Sequence, residues 1–257
     1  MIRVYDKNKI ISFLRKEDEI ANLNIIGAIE NITKGLFDDP EDDLMIYVDD
    51  EENPNGVIVN EHSYWYYVYA KNDAFIYHIR DHFFNKLEAY GFDAVDHRVF
   101  KILSENKTIE WEEPCILLSV DKDAFKPYES KLLLTDGTVE DSKIIDEHYT
   151  FKDEFSHTFI YDDLENRPSS VYRVDGEPVA WVLLHRDNSV GIMFTKEAYR
   201  GQGIAYELSM DIISKVLEKD QIPYIHINVG NQASFSLAEK CGFKRYKEVF
   251  WFGIHKK

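Results

Sequence analysis

Apolar positions recur along this chain with two periods, one near 3.6 residues and one of 2, and the switches between them mark its elements. At the N-terminal end Ile10, Ile11 and Leu14 form one helical stripe, and Leu23, Ile26, Ile29 and Ile32 suggest a second, so residues 6–34 read as two helical segments. Runs rich in β-branched and aromatic residues then predict strands over 44–48, 56–59 and 64–70. The first two are separated by an acidic turn containing Asn53-Pro54-Asn55-Gly56, a good hairpin signal. Phe75, Ile76, Ile79, Phe83 and Leu87 return to helical spacing up to Tyr90-Gly91, where glycine can cap the end. A further helix is expected near 96–104 and a strand over 114–120, after which residues 121–129 read as a connection.

The second half opens on a strand at 131–135 and helical stretches at 138–147 and 151–164, the first with a Thr138-x-x-Asp141 capping start. Three strands follow at 169–174, 179–185 and 190–195, joined by the turn pairs Asp175-Gly176 and Asp187-Asn188. A glycine-bearing junction leads into a long helix with Ile204, Leu208, Ile212 and Val216 on one stripe. A strand at 222–229, a helix at 232–240 and a strand at 243–254 complete the chain. The pattern is α/β (α+β): a mixed sheet with helices on both faces, in two domains, 1–128 and 129–257. The first domain has the order of a degraded copy of the second, and it contains no Gly-x-Gly.

Composition narrows the classes of partner. Hydrophobic residues at 44% supply a core, and no stretch of 18 apolar residues is present to span a membrane. Residues 1–6 lack the apolar centre of a signal peptide, so a cytoplasmic protein is expected. Cys115 and Cys241 each sit in an apolar neighbourhood and read as buried small hydrophobes. The net charge is −17, with 14 Lys+Arg against 27 Asp+Glu in residues 1–130. Such a surface repels nucleic acid and anionic lipid, so neither is expected as a partner. The acidic run at 38–43 lacks the spaced glycine and terminal glutamate of a calcium loop, and no metal is expected there.

Candidate chemistry concentrates at Tyr199-Arg200-Gly201-Gln202-Gly203-Ile204-Ala205. Gly201 and Gly203 let the backbone turn sharply and keep side chains away from a ligand. The first helical turn then offers unpartnered N–H groups and the positive end of the helix dipole, a ready site for a phosphate or pyrophosphate. Downstream stand Asn231-Gln232-Ala233-Ser234, Leu237 and Gly242-Phe243. Together these strings resemble the GNAT superfamily of acyl-CoA-dependent N-acyltransferases. Residues 167–172 and 177–181 look most like its glycine N-acyltransferase-like branch. The resemblance covers residues 129–257 well and the first half loosely, as a GNAT half without the glycine loop.

The resemblance implies a function and a set of roles. Acetyl-CoA, or another short acyl-CoA, would be cosubstrate, with no metal. Arg200, Gly201, Gln202, Gly203, Ile204 and Ala205 would hold the diphosphate, and backbone groups near Phe194 and Thr195 would bond to pantetheine. Asn231, with Ser234 in the same helical turn, matches the family's pantetheine contact, while capping its helix is an equal and compatible role. His226 matches a histidine on the strand facing the reaction gap, where neutral imidazole could accept the proton of an amine; a structural role is the alternative. His185 is a weaker candidate, and Tyr161, Glu165 or Tyr172 could line the acceptor site. Two departures stand out: Ala238 occupies the family's tyrosine position, and Ser189 or a neighbour occupies that of the glutamate base. The expected function is acyl transfer to a small primary amine such as an amino acid, by direct attack on the thioester. The alternatives are a non-catalytic acyl-CoA-binding module and an acetyltransferase of a protein partner. Oligomeric state and acceptor are not legible.

Overall fold

The computed structural model describes residues 1–31, 44–61, 64–126 and 128–255. The acidic run at 38–43 lies outside the described residues. Inter-residue contacts divide the chain into two compact units. The first holds residues 1–117, 226–230 and 246–257; the second holds 118–225 and 231–245.

The first unit begins with β1 (Ile2–Val4), α1 (Lys7–Asp18) and α2 (Leu23–Glu30), followed by β2 (Met45–Val48), β3 (Gly56–Glu61) and β4 (Trp65–Ala70). Then come α3 (Asp73–His82), β5 (Ala89–Asp96), α4 (His97–Leu103) and β6 (Thr108–Val120). Strands β2, β3 and β4 pair antiparallel in register with the expected hairpin, and β4 pairs parallel with β5. Alternate residues of β3 feed two cores. Ile58 joins Val68, Ile76, Ile79 and Phe92, whereas Val57 and Val59 join Ile10, Leu14, Ile26 and Ile29. Asp6, Asn72 and Asp96 cap α1, α3 and α4 by accepting from the backbone N–H three residues on.

Tyr90 and Gly91 are not a helix end. They lie inside β5, because Tyr90 and Phe92 are sealed on one face while the strand pairs with residues far along the chain. That partner is β12 (Phe243–His255), whose residues 249–255 run antiparallel to β5. The strand order of the larger sheet is β1-β2-β3-β4-β5-β12-β6-β11, where β11 is Tyr224–Asn228. This pairing is why contiguous segments 1–128 and 129–257 are not the units that the contacts define: the last twelve residues return to the first unit.

The second unit contains a four-stranded sheet in the order β10-β9-β8-β7, with β7 Leu134–Thr135, β8 Ser169–Val174, β9 Glu177–Leu184 and β10 Val190–Thr195. The β8–β9 turn has positive φ at both Asp175 and Gly176, as a tight hairpin of matching twist requires. Helices α5 (Ser142–Glu147) and α6 (Ser156–Asn166) supply Ile145, Ile160 and Leu164 to a core with Val171, Trp181 and Leu183. Helix α7 (Ile204–Glu218) packs on β8, β9 and β10, burying Ile204, Leu208, Ile212, Ile213 and Val216. Strand β9 is therefore buried on both faces from Pro178 onward. Residues 151–155 are not helical; α6 begins only at Ser156, whose N–H is taken by Asp153 at 2.7 Å. Helix α8 (Gln232–Lys240) completes the unit. Trp181 is fully buried, and Cys115 and Cys241 are buried free thiols. Among the described residues no helix is long and apolar enough to cross a membrane.

Candidate diphosphate and acyl-carrier site

Strand β10 ends its sheet, so its outer edge has no ladder partner in that sheet. It is also bulged. Gly191 faces Leu183 and Phe194 faces Trp181, so Ile192 and Met193 together oppose one residue. Ile192 adopts φ 49°, a conformation that a β-branched side chain rarely takes. Packing holds it there: Ile192 and Phe194 both press on the core of Trp181, Ile160 and Leu164, and Phe194 stacks on Trp181 at 5.1 Å. Strain of this kind persists only when surroundings over-determine it, and it gathers at working sites. Here it re-aims the peptide groups at mid-strand.

After β10 the chain makes a short 3-10 turn at Glu197–Tyr199 and enters the glycine junction. Gly201 has φ 75° and Gly203, the residue before α7, has φ 81°. A Cβ built at either glycine meets nothing within 4 Å. Both glycines are thus required by conformation, and the space above them is open. Among the described residues, the amides of 201–205 donate to no protein acceptor. They stand at the N-terminus of a 15-residue helix. Ile204 is 4% exposed, so its side chain belongs to the core and only its N–H faces the site.

Arg200 folds back along β10. Its Nε donates to the Thr195 carbonyl at 3.0 Å, and its guanidinium lies 5.8 Å from the Phe194 ring. Gln202 donates from Nε2 to the Ala198 carbonyl. Glu207, in the first turn of α7, is the one buried acid close by in sequence. Burial opposes its ionisation, but the Lys131 N–H at 2.9 Å and the Ser130 hydroxyl at 3.1 Å hold its carboxyl below the ordinary value.

The other expected residues are placed as follows. Asn231 caps α8, its Oδ1 accepting from Ser234 N at 3.1 Å. His226 falls in the first unit, half-buried, its ring 5.8 Å from that of Trp251; the other ten belong to the second unit. Ser189 has no carboxylate to offer, but its hydroxyl and N–H both donate to Asp187, at 2.6 and 2.9 Å. Asp187 is buried, and its Oδ2 accepts no hydrogen bond among the described residues. His185 lies 3.9 Å from Asp163, itself ion-paired with Arg167 at 2.6 Å. Burial outweighs that pairing and pushes the Asp163 carboxyl up to about 6. Ala238 is one of the buried residues of α8.

The sequence reading missed His148, just past α5. Its Nδ1 lies 3.0 Å from the Ile144 carbonyl, which can only accept, so Nδ1 donates there and Nε2 is the ring nitrogen left for another partner. The ring rests against Phe194 at 4.6 Å, and the residue is exposed. A lone histidine after a short helix gives no sequence signal; only its tertiary contact with the bulged strand reveals it.

The chain is similar to known proteins in part of its sequence and in its fold. The sequence model of the FR47-like protein family matches residues 171–252, which span the bulged strand, the glycine junction and α8. A crystal structure of a Drosophila protein is similar over 99% of this chain and 98% of its own, with a TM-score of 0.81 at 11% identity. A tandem GNAT protein from the clavulanic acid biosynthesis pathway is similar over 100% and 98%, with a TM-score of 0.60 at 11% identity. An acetyltransferase of the GNAT family from Colwellia psychrerythraea matches over 99% of both chains, with a TM-score of 0.57 at 11% identity. No protein of curated function matches the chain. The fold of this chain, a mixed sheet flanked by helices, is that of GNAT structures.

Proposed function

We propose that the chain is an acyl-CoA-dependent N-acyltransferase that moves an acetyl group from acetyl-CoA to the primary amine of a small molecule such as an amino acid. The observation that carries this reading is the row of open amides at 201–205, directly after a bulged edge strand. The amides and the helix dipole hold the diphosphate, with Arg200 adding a cation at one end. The unpaired edge of β10, near Phe194 and Thr195, bonds to the amides of the pantetheine arm. The bulge turns a peptide N–H toward the thioester oxygen, where negative charge grows as the amine attacks. Asn231 reaches the same arm through the Nδ2 that its cap does not use. The His148 Nε2 accepts the proton that the ammonium must lose, and the thiolate leaves without a tyrosine acid because its pKa lies near 8.5 or somewhat above. The resemblance gives that base role to His226 instead.

The test has two stages. Acetyl-CoA and coenzyme A at millimolar concentration should raise the melting temperature by mass action on the folded state. A thiol-release assay across amino acids, polyamines and peptides then finds the acceptor. Binding without turnover of any amine replaces the enzyme by a non-catalytic acyl-CoA-binding module. Turnover confined to a protein amine makes it a protein acetyltransferase. Absence of any melting shift overturns all three.

A further inference from the structure

Three of the four tryptophans of this chain gather on one face of the first unit's sheet. Trp65 opens β4, Trp111 lies on β6 and Trp251 on β12. The rings of Trp111 and Trp251 stand 5.6 and 6.1 Å from Trp65, inclined to it by 55° and 74°. Tyr64 meets Trp65 at 5.4 Å and 85°, and its hydroxyl accepts from Trp111 Nε1 at 3.2 Å. No pair is stacked flat: Tyr64 and Trp251 meet Trp65 edge to face, and Trp111 is tilted to it. All four residues are half-buried, in contrast to the sealed Trp181 of the second unit.

The backbone has made room for them. Gly91 on β5 and Gly253 on β12 are ladder partners. A Cβ at Gly91 would lie 2.5 Å from Tyr64 Cε1, and one at Gly253 would lie 2.2 Å from Trp111 Nε1. Two opposed glycines therefore leave a bare floor in the middle of the sheet, onto which the rings settle. An ordinary sheet gains nothing from glycine there, and a close approach is the usual reason for one.

Negative charge surrounds this arrangement. Glu113 lies two residues beyond Trp111, on the same face of β6, and accepts from Asn228 Nδ2. Glu110 acts on Tyr64, whose phenol is pushed up by burial first and then by that carboxylate. Among the described residues neither Glu110 nor Glu113 forms an ion pair with lysine or arginine. The unit as a whole carries 15 Lys+Arg against 25 Asp+Glu. Its field therefore draws cations and repels anions.

We propose that Trp65, Trp111, Trp251 and Tyr64, with Glu113 beside them, form a binding site for an organic ammonium cation. Tryptophan faces attract such a cation through their quadrupole, and the weakly hydrated alkyl groups lose little by leaving water. Acidic surroundings select the charged headgroup over a neutral molecule of the same shape. The site belongs to the first unit alone, and the inference stands whether or not the acyl-transfer reading does.

The probe is choline, titrated at constant ionic strength while tryptophan fluorescence is followed. Its neutral isostere, 3,3-dimethylbutan-1-ol, is the control. Saturable quenching by choline is expected, with a Kd of roughly 0.1–10 mM for so small a ligand and little response to the isostere. Trp111→Leu keeps an apolar side chain but removes a ring face, and should raise Kd roughly 2- to 30-fold. Glu113→Gln should raise it too, and serves where the leucine variant loses its circular dichroism signature. Equal binding of the isostere would reduce the site to an apolar pit. Lack of saturation up to about 100 mM, or choline binding unchanged in a folded variant, also overturns the proposal.

Discussion

Substituting Gly203 separates what its backbone needs from what its open space holds. Its φ of 81° lies where an L side chain is strained, yet a Cβ there meets no atom within 4 Å. Gly203→Ala should therefore cost only the left-handed penalty, about 1–2 kcal/mol, or roughly 2–8 °C in Tm for a unit of this size. Gly203→Glu pays the same penalty and also sets a carboxylate beside the bound diphosphate. Two unit charges about 4 Å apart repel by about 1 kcal/mol in water and about 4 kcal/mol at an effective dielectric of 20. The exposed position of this loop puts the expected loss of coenzyme A affinity at roughly 5- to 1000-fold. Gly176 provides the internal control. It has φ 86° and equally empty surroundings, but sits in the β8–β9 turn. Gly176→Ala should lose the same stability and no affinity. Calorimetric titration with coenzyme A, read beside thermal melts, reports both quantities. A folded Gly203→Glu protein that binds coenzyme A like the wild type would refute the placement of the diphosphate on these amides.

Asn231→Ala removes the α8 cap and should cost about 1 kcal/mol, visible as a lower Tm; a parallel loss of coenzyme A affinity would separate the pantetheine contact from the cap. Asp163 titrates near 6 when folded, above its ordinary 3.8, so the folded state holds a proton that the unfolded chain releases. Its contribution to stability is complete below about 4 and is lost as pH rises through 6. The Tm difference between wild type and Asp163→Asn should fall across that window and stay level above it, and a difference that rises would contradict the assignment. His148→Gln should lower kcat by roughly 100- to 10,000-fold while leaving coenzyme A binding intact. If His226→Gln does this instead, the base is the one that the resemblance assigns.

Much of the second unit was legible from the sequence because local chemistry dictates it. Asp175-Gly176 must form a tight turn, Asn231 must start a helix, and α8 occupies the expected residues 232–240. The glycine junction was legible because glycine adopts such positive φ values at least cost. Strand β5 was not. Ile79, Phe83 and Leu87 carry helical spacing up to its edge, and its strand state is settled by pairing with residues 249–255, which no local window contains. Strand β6 begins six residues earlier than expected because Thr108-Ile109-Glu110 and Glu112-Glu113 look like loop, although their alternation is that of a strand. Strand β7 is shorter than expected: the Lys131 N–H goes to Glu207 instead of a ladder, and Leu133 is exposed. The bulge at Ile192 runs against β-branched preference and is imposed by packing on Trp181. That left the most informative strand of the site looking ordinary in sequence.

The return of β12 to the first unit sets an order of events on the ribosome. Strand β12 lies between β5 and β6 in the sheet, yet more than a hundred residues separate it from β6 along the chain. Until it emerges, the nascent first unit exposes two raw strand edges with nothing to zip them together. A chain stalled or clipped before residue 246 would lose an interior stave, not a dispensable tail. Such products should be sticky and quickly degraded.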